Sequence, residues 1–288
     1  MNGYLVSLVP LIGVNAILAL GLNIIAGFCG QISLGQAAFY GIGAYAAALM
    51  ALAGLPFWLT LPLGALTAGV FGLVVGLVSL RVREDFLAIT TMAVGFLFLG
   101  LVRKSALFGG EVGLTGIPPS GLGPQGYALL VVGLVAATVA LSIYMKASWL
   151  GFAFASIAED EGAARALAVP VPHYKLAAFF IGSALSGLAG AIYCYYARFI
   201  TPDTFSFLVS VSILAMVVIG GIGSTWGVLL GAVALTLLPE IFRFAGEYRQ
   251  FLFGLALLMV MRFSPAGLFG MLSRLVPARL GNLRKARA

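Results

Sequence analysis

Charged side chains are scarce along this chain, and their absence from long stretches decides its class. Only 9% of the 288 residues are Asp, Glu, Lys or Arg, whereas soluble globular domains carry about 25%. No charged residue occurs from Met1 to Leu80, and a second uncharged stretch runs from Val112 to Met145. A transmembrane helix needs about 20 mainly apolar residues, so several are predicted. Because no Lys or Arg precedes Arg81, a cleavable signal peptide with a basic start is not expected.

Residues that carry metal, redox or nucleotide chemistry are also scarce. His173 is the only histidine, which excludes proteases that bind a metal through two histidines on one helix. Cys29 and Cys194 lie in or beside apolar runs and are expected to be small buried side chains. No lysine follows a glycine, so no phosphate-binding loop of the Gly-Lys-Ser/Thr type is present. We expect no catalytic residue, no metal and no cofactor.

Carboxylates are missing from the centres of the apolar segments. Proton-coupled carriers usually bury titratable groups inside their spans. The nine acidic residues fall in loops or at predicted helix ends, and Glu240, beside Pro239, comes nearest to an exception. This distribution counts against a proton-driven carrier, whereas sodium coupling through carbonyls and hydroxyls stays open.

Basic residues are concentrated at the C-terminal end. Six of the sixteen lie in the last 27 positions with no acid among them, in a tail that we delimit as 263–288 with Arg262 just before it. The positive-inside rule predicts that such a tail is cytoplasmic and lies beside anionic lipid rather than nucleic acid. In that orientation eleven basic residues lie inside and five outside. The N-terminus is then outside if there are nine spans and inside if there is one more.

The apolar pattern predicts an all-α, polytopic membrane bundle of about 8–10 helices, in a single domain over 1–288. The stretch Gln31–Gln36 follows Gly30 and contains Gly35, and it is expected to be broken or re-entrant. Small residues at four-residue spacing predict close helix packing; these rows are Ala68, Gly72 and Gly76, then Gly182, Ser186 and Gly190, then Gly223, Gly227 and Gly231. The predicted helices are 5–26, 31–53, 57–80, 86–102, 126–146, 176–197, 207–221, 224–242 and 249–262.

Two connections are longer than simple turns: 103–125, predicted outside, and 147–175, predicted cytoplasmic. Within the second, Leu150, Phe154 and Ile157 recur at helical spacing and predict one short helix. Pro170 and Pro172 are expected to end it. A short amphipathic helix between two spans is expected either to lie on the membrane or to dock into a partner.

The run EDEGAARAL at 159–167 resembles the EAA-type cytoplasmic loop of ABC importer permeases. Four further segments narrow the family: GLNIIAGFCGQISLGQAAFYGIGAYAAAL at 21–49, FLAITTMAVG at 86–95, GGEVGLTGIP at 109–118 and FITPDTFSFLVSVSILAMVVIGGIGSTWGVLLGA at 199–232. In this order along the chain they resemble the LivM-type permeases of branched-chain amino acid ABC transporters. The resemblance implies that the EAA-like run couples the spans to an ATPase subunit. The residues implied in this contact are Glu159, Asp160, Glu161, Ala163, Ala164 and Arg165.

The chain departs from the family pattern at three places. Phe152, Ala155 and Ala158 stand where relatives usually carry arginines, which makes the implied docking surface less basic. Ala168 replaces the usual glycine after the motif, and Phe96 replaces a common glutamate. Because Phe96 is apolar, it argues against a polar pathway residue at its depth in the span that begins near 86.

Polar side chains within apolar spans cost free energy unless they find partners, so they are predicted to line a translocation path. The alternative for each is an ordinary hydrogen bond between helices. These candidates are Asn23, Gln31, Ser33, Gln36, Thr90 and Thr91. In the outside loop, Gly109, Gly110, Glu111 and Gly113 are predicted to contact a substrate-binding protein, with a purely structural loop as the alternative.

By resemblance, the chain is expected to be the permease subunit of a bacterial ABC importer in the inner membrane. Its implied partners are a second permease subunit, two ATP-binding subunits and a periplasmic or lipid-anchored binding protein. The implied substrates are leucine, isoleucine and valine, and urea, short amides or another amino acid remain alternatives. A stand-alone secondary carrier is the other class; an intramembrane enzyme lacks a catalytic constellation.

Overall fold

The computed structural model describes residues 2–81, 84–241 and 254. Within these residues every regular element is a helix, and β pairing is limited to one isolated bridge between Leu114 and Ile200. The helices are α1 (Asn2–Leu22), α2 (Gln36–Leu52), α3 (Phe57–Ser79), α4 (Glu84–Lys104), α5 (Pro124–Ala147), α6 (Trp149–Glu159), α7 (Glu161–Ala166), α8 (Val171–Ala197), α9 (Phe207–Gly220) and α10 (Thr225–Ile241). A π-helix, Asn23–Phe28, continues α1, and short 3₁₀ turns cover Ala106–Phe108 and Pro202–Phe205.

Membrane-spanning capacity follows from length and composition. Among the described residues, six helical stretches are long and apolar enough to cross a bilayer. Shorter apolar helices are Gln36–Leu52, Trp149–Glu159 and Thr225–Glu240. The polytopic helical bundle predicted from the sequence is therefore confirmed, while the predicted segment 249–262 and the basic tail 263–288 lie outside the described residues, apart from Gly254.

Helix α8 forms the centre of the bundle and packs against α1, α2 and α3. Small residues allow this approach: a Cβ on Gly43 of α2 would lie 2.3 Å from the Cα of Gly187 in α8. A Cβ on Gly72 of α3 would overlap the hydroxyl of Ser183. The close packing predicted from the small-residue rows is confirmed at this interface, since neither glycine tolerates a side chain.

The third row marks a separate contact, between α9 and α10. A Cβ on Gly231 would lie 2.4 Å from the carbonyl oxygen of Met216, and one on Gly220 would lie 2.5 Å from that of Gly227. These two short helices therefore form a tight antiparallel pair beside α1.

The faces of α3, α4 and α5 that point away from this centre are apolar and exposed. Trp58, Leu97 and Leu129 retain 63%, 73% and 75% of their accessible surface. In water such a surface would be unfavourable. It suits an environment of lipid or of a partner's helices.

Three boundary predictions were wrong, each for a local reason. Helix α2 begins at Gln36 rather than 31, because Cys29–Gly35 is not helical. The predicted cytoplasmic helix is two helices, α6 and α7, separated at Asp160. The predicted helix at 176–197 begins earlier, at Val171. Pro172 was expected to end the preceding helix, but it lies in the first turn of α8, where proline fits well.

Candidate functional site

The non-helical segment Cys29–Gly35 separates α1 and its π-helical continuation from α2. It follows a π-helix, a local distortion that is frequent at functional sites. Gly30 adopts a φ of 75°, which favours glycine, and the backbone N–H of Gln31 donates to the carbonyl of Ile25 at 3.0 Å. The broken element predicted near Gln31–Gln36 is therefore confirmed, and we call Cys29–Gly35 the broken segment.

Hydroxyl groups from three other helices hold the far end of the broken segment. The backbone N–H of Leu34 donates to Oγ1 of Thr91 in α4 at 3.0 Å. The N–H of Ala37 donates to Oγ of Ser210 in α9 at 2.9 Å. The Gln36 side chain donates through Nε2 to Oγ of Ser186 in α8. Four elements thus meet around the start of α2.

The near end of the broken segment is tied to the turn between α9 and α10. Oδ1 of Asn23 accepts a hydrogen bond from the backbone N–H of Gly223 at 2.9 Å. Nζ of Lys146, at the end of α5, donates to the carbonyl of the same glycine at 2.7 Å. The ammonium also lies 5.8 Å from the ring centroid of Phe28, within cation–π range. Gly223 is therefore held from both sides.

Three amides around the broken segment keep polar atoms without partners. Asn23, Gln31 and Gln36 are at most 3% exposed. Nδ2 of Asn23, both amide atoms of Gln31 and Oε1 of Gln36 have no hydrogen bond. An unsatisfied buried polar group costs about 1–3 kcal/mol. This concentration in one short stretch is the main electrostatic feature of the site.

Five of the six predicted path residues lie in the broken segment or in elements that adjoin it. These are Asn23 in the preceding π-helix, Gln31 and Ser33 within the segment, Gln36 at the start of α2, and Thr91 of α4, whose hydroxyl accepts from the N–H of Leu34. Ser33 is buried and accepts from the N–H of Gly35 at 3.3 Å. Thr90 is the exception: it is partly exposed, and its hydroxyl donates to the Phe86 carbonyl of its own helix at 3.0 Å.

Sequence reasoning missed three contributors to this site. Ser186 was part of a small-residue row, so its hydroxyl was counted as packing. Ser210 and Lys146 gave no local signal, because their partners lie 173 and 77 positions away. Only the tertiary fold could reveal them.

The charged side chains of α7 and of its N-cap, Asp160, have partners within α7 or at the start of α8. Oδ1 of Asp160 accepts from the N–H groups of Gly162 at 2.7 Å and Ala163 at 3.1 Å, a typical N-cap. Oε2 of Glu161 lies 2.9 Å from NH2 of Arg165, and its other oxygen pairs with Lys175 of α8. These contacts fix α7 to the start of α8. Of the two alanines predicted in the coupling contact, Ala163 is exposed and Ala164 is buried.

Large apolar side chains are exposed on α6 and just after α7. Trp149, Phe152 and Leu167 are 80%, 70% and 76% exposed. They border a groove of about 370 Å³ that Pro170 and Tyr174 complete. The opposite side of α6 contacts the broken segment, where a Cβ on Gly30 would lie 3.1 Å from the Cα of Ala158.

The glycine-rich loop after α4 lies at the opposite end of the bundle. Leu114 and Ile200 exchange two backbone hydrogen bonds of 2.9 and 3.1 Å, and Arg103 pairs with Asp203 at 2.7 Å. Gly113 has a φ of 82°, and a Cβ there would lie 2.0 Å from the Ile200 carbonyl oxygen. Gly109 and Gly110 also have positive φ, and Glu111 is exposed. The loop therefore has a defined conformation and is held against the 198–206 connection by hydrogen bonds and an ion pair.

Among the described residues, no group of three or more His, Cys, Asp or Glu side chains is arranged to hold a metal ion.

Comparison with known proteins decides the family. A family model described as a branched-chain amino acid transport system permease component matches residues 4–261. This chain belongs to that family. The permease is 33% identical over 286 residues to the high-affinity branched-chain amino acid transport permease LivM of Salmonella typhimurium, covering 88% of this chain and 67% of the relative. It is 32% identical to LivM of Escherichia coli, covering 92% and 70%.

A second group of relatives is more distant. The permease is 26% identical to the permease protein LivH of Salmonella typhimurium, over 88% of this chain and 91% of that protein. No solved structure matches the chain significantly. The multi-pass membrane character predicted from the sequence agrees with the relatives' description as permeases.

Proposed function

We propose that this chain is one permease subunit of an ABC importer that moves leucine, isoleucine and valine across a bacterial inner membrane. The observation that carries the proposal is the match to LivM permeases along 88–92% of the chain. The protein would bind neither ATP nor a metal itself. Partner subunits would hydrolyse the ATP, and the C-terminus would face the cytoplasm.

The proposed assembly pairs this permease with a second one. Its relatives include proteins named LivM and proteins named LivH, which supports a heterodimer of two related subunits. The exposed apolar faces of α3, α4 and α5 offer surface for that partner and for lipid. Two ATP-binding subunits and a soluble or lipid-anchored binding protein complete the proposed importer.

The proposed path runs past the broken segment. Gln36 and Thr91 lie at the far end of this segment, Gln31 and Ser33 within it and Asn23 just before it. Irregular backbone at membrane depth is tolerated where it lines a cavity. Thr90 contributes less to this proposal, because it is partly exposed, whereas Thr91 is buried and its hydroxyl also accepts from the N–H of Leu34. Amides and hydroxyls suit a substrate that carries one ammonium and one carboxylate.

The proposed coupling element is the pair α6 and α7. Asp160, Glu161 and Arg165 stabilise its shape, while Ala163 and the exposed carboxylate of Glu159 face outward with the apolar side chains. Ala164 packs beneath them. At the other end, the loop containing Gly109, Gly110, Glu111 and Gly113 is proposed to receive the binding protein.

Uptake in cells tests the function and its substrate. Labelled leucine uptake is expected to fall when the gene is deleted, to return when it is restored, and to be inhibited by excess valine but not by urea or ribose. Inhibition by urea instead of valine would assign the permease to short amides. Leucine uptake that is indifferent to the gene would contradict the amino-acid assignment.

A further inference from the structure

Gln31 stands out among the amides of the site. Its side chain is 3% exposed, and neither its carbonyl oxygen nor its amino group has a hydrogen-bond partner. It lies in non-helical backbone, where one hydrogen bond to Ile25 holds its N–H. A buried amide that is wholly unsatisfied in one conformation is explained if it has a partner in another.

The residue before Gln31 touches the cytoplasmic helix α6. Gly30 lies so close to Ala158 that an added Cβ would come within 3.1 Å of both the Cα and the Cβ of that alanine. Any shift of α6 must therefore change the surroundings of Gly30 and of the adjoining Gln31. Because Gly30 and Ala158 are in direct contact, no intervening residue is needed to transmit the shift.

The segment is anchored on both sides of this contact. On the N-terminal side of Gly30, Asn23 is hydrogen-bonded to Gly223. On the C-terminal side, the backbone N–H groups of Leu34 and Ala37 donate to the hydroxyls of Thr91 and Ser210. These anchors limit movement at the ends. Motion is therefore expected to concentrate between Cys29 and Ser33.

We propose that Gln31 is a substrate-contacting residue of the path, which this conformation occludes and which a shift of α6 exposes. The inference rests on the proposed function. A primary amide carries no net charge and both donates and accepts hydrogen bonds. Its oxygen can accept from the ammonium of an amino-acid zwitterion, and its nitrogen can donate to the carboxylate. Oε1 of Gln36 supplies a second unused acceptor nearby in the chain.

The two cysteines give a direct test of the exposure. Cys29, at the start of the broken segment, is 2% exposed, and Cys194, inside α8, is fully buried. In the complete importer reconstituted in vesicles, modification of each by a membrane-permeant maleimide is followed by mass spectrometry. We expect ATP turnover to speed modification of Cys29 by about tenfold or more, equivalent to ~1.4 kcal/mol of opening, and to leave Cys194 unreactive.

A substitution tests the contact with substrate. Gln31→Leu removes the unsatisfied amide, so the melting temperature is expected to rise by a few degrees while leucine uptake falls by about tenfold. Gln125→Leu, the same change at an exposed position of α5, is expected to alter neither. A structural role alone would lower stability and uptake together.

Three outcomes would overturn the inference. One is an unchanged rate of Cys29 modification in a complex that imports leucine on ATP addition. The others are normal uptake, or a lowered melting temperature, in Gln31→Leu. If the parental complex does not import leucine at all, the proposed function has failed and the inference fails with it.

Discussion

A Glu161→Lys permease is expected to insert in the membrane and yet to lose leucine uptake by about tenfold or more. Glu161 is the one residue that binds both Arg165 within α7 and Lys175 of α8. The side chains of Glu161 and Lys175 are only 19% and 12% exposed. Removing one partner of a buried ion pair costs about 3–5 kcal/mol, and partial exposure moves the expected loss toward the lower end. Lysine at 161 would set three cations together and detach α7.

A charge swap separates this explanation from general damage. Glu161→Lys combined with Lys175→Glu restores the contact between α7 and α8 with reversed signs. We expect the double variant to recover part of the uptake and much of the association with the ATP-binding subunits, as measured by co-purification. If Glu161→Lys imports leucine at the parental rate, α7 is not the coupling element.

A Gly43→Val permease is expected not to accumulate in the membrane. The added Cβ would lie 2.3 Å from both the Cα and the carbonyl oxygen of Gly187, and the backbone of α8 cannot move aside locally. Overpacking costs about 1–3 kcal/mol where side chains yield, so a collision with backbone is expected to cost at least the upper value. Because α2 packs closely on α8 at the centre of the bundle, loss of this contact would affect the whole fold.

The control for this prediction is Gly133→Val in α5, where an added Cβ meets nothing within 4 Å. We expect the control to match the parental protein in membrane abundance and in melting temperature after detergent extraction. Abundance and melting of Gly43→Val equal to those of the control would contradict the described packing of α2 on α8.

The sequence allowed the bundle and much of the site to be predicted because their signals are local. Gly30 and Gly35, on either side of Gln31, predicted the broken segment. Small side chains at four-residue spacing predicted the close packing of α8. Polar residues in uncharged stretches are rare enough that Asn23 and Gln36 could be singled out.

Other features depend on contacts that spacing does not reveal. The helical spacing of Phe154 and Ile157 continues as far as Glu161, so it does not reveal the break at Asp160. An aspartate at this position is nevertheless compatible with an N-cap, in which its carboxylate accepts from backbone N–H groups two and three residues later. The partners of Gln36 and Ala37, Ser186 and Ser210, come from α8 and α9 and have no periodic relation to the broken segment. The contact of Gly30 with Ala158 was hidden for the same reason.

Reconstituted transport tests the central claim most directly. Vesicles would contain this permease with its second permease and its ATP-binding subunits, with ATP enclosed and the binding protein outside. The account predicts that labelled leucine enters only when the enclosed ATP can be hydrolysed, and that excess valine prevents its entry. Leucine entry driven by a sodium or proton gradient in vesicles that hold this chain alone would contradict the account and identify a secondary carrier.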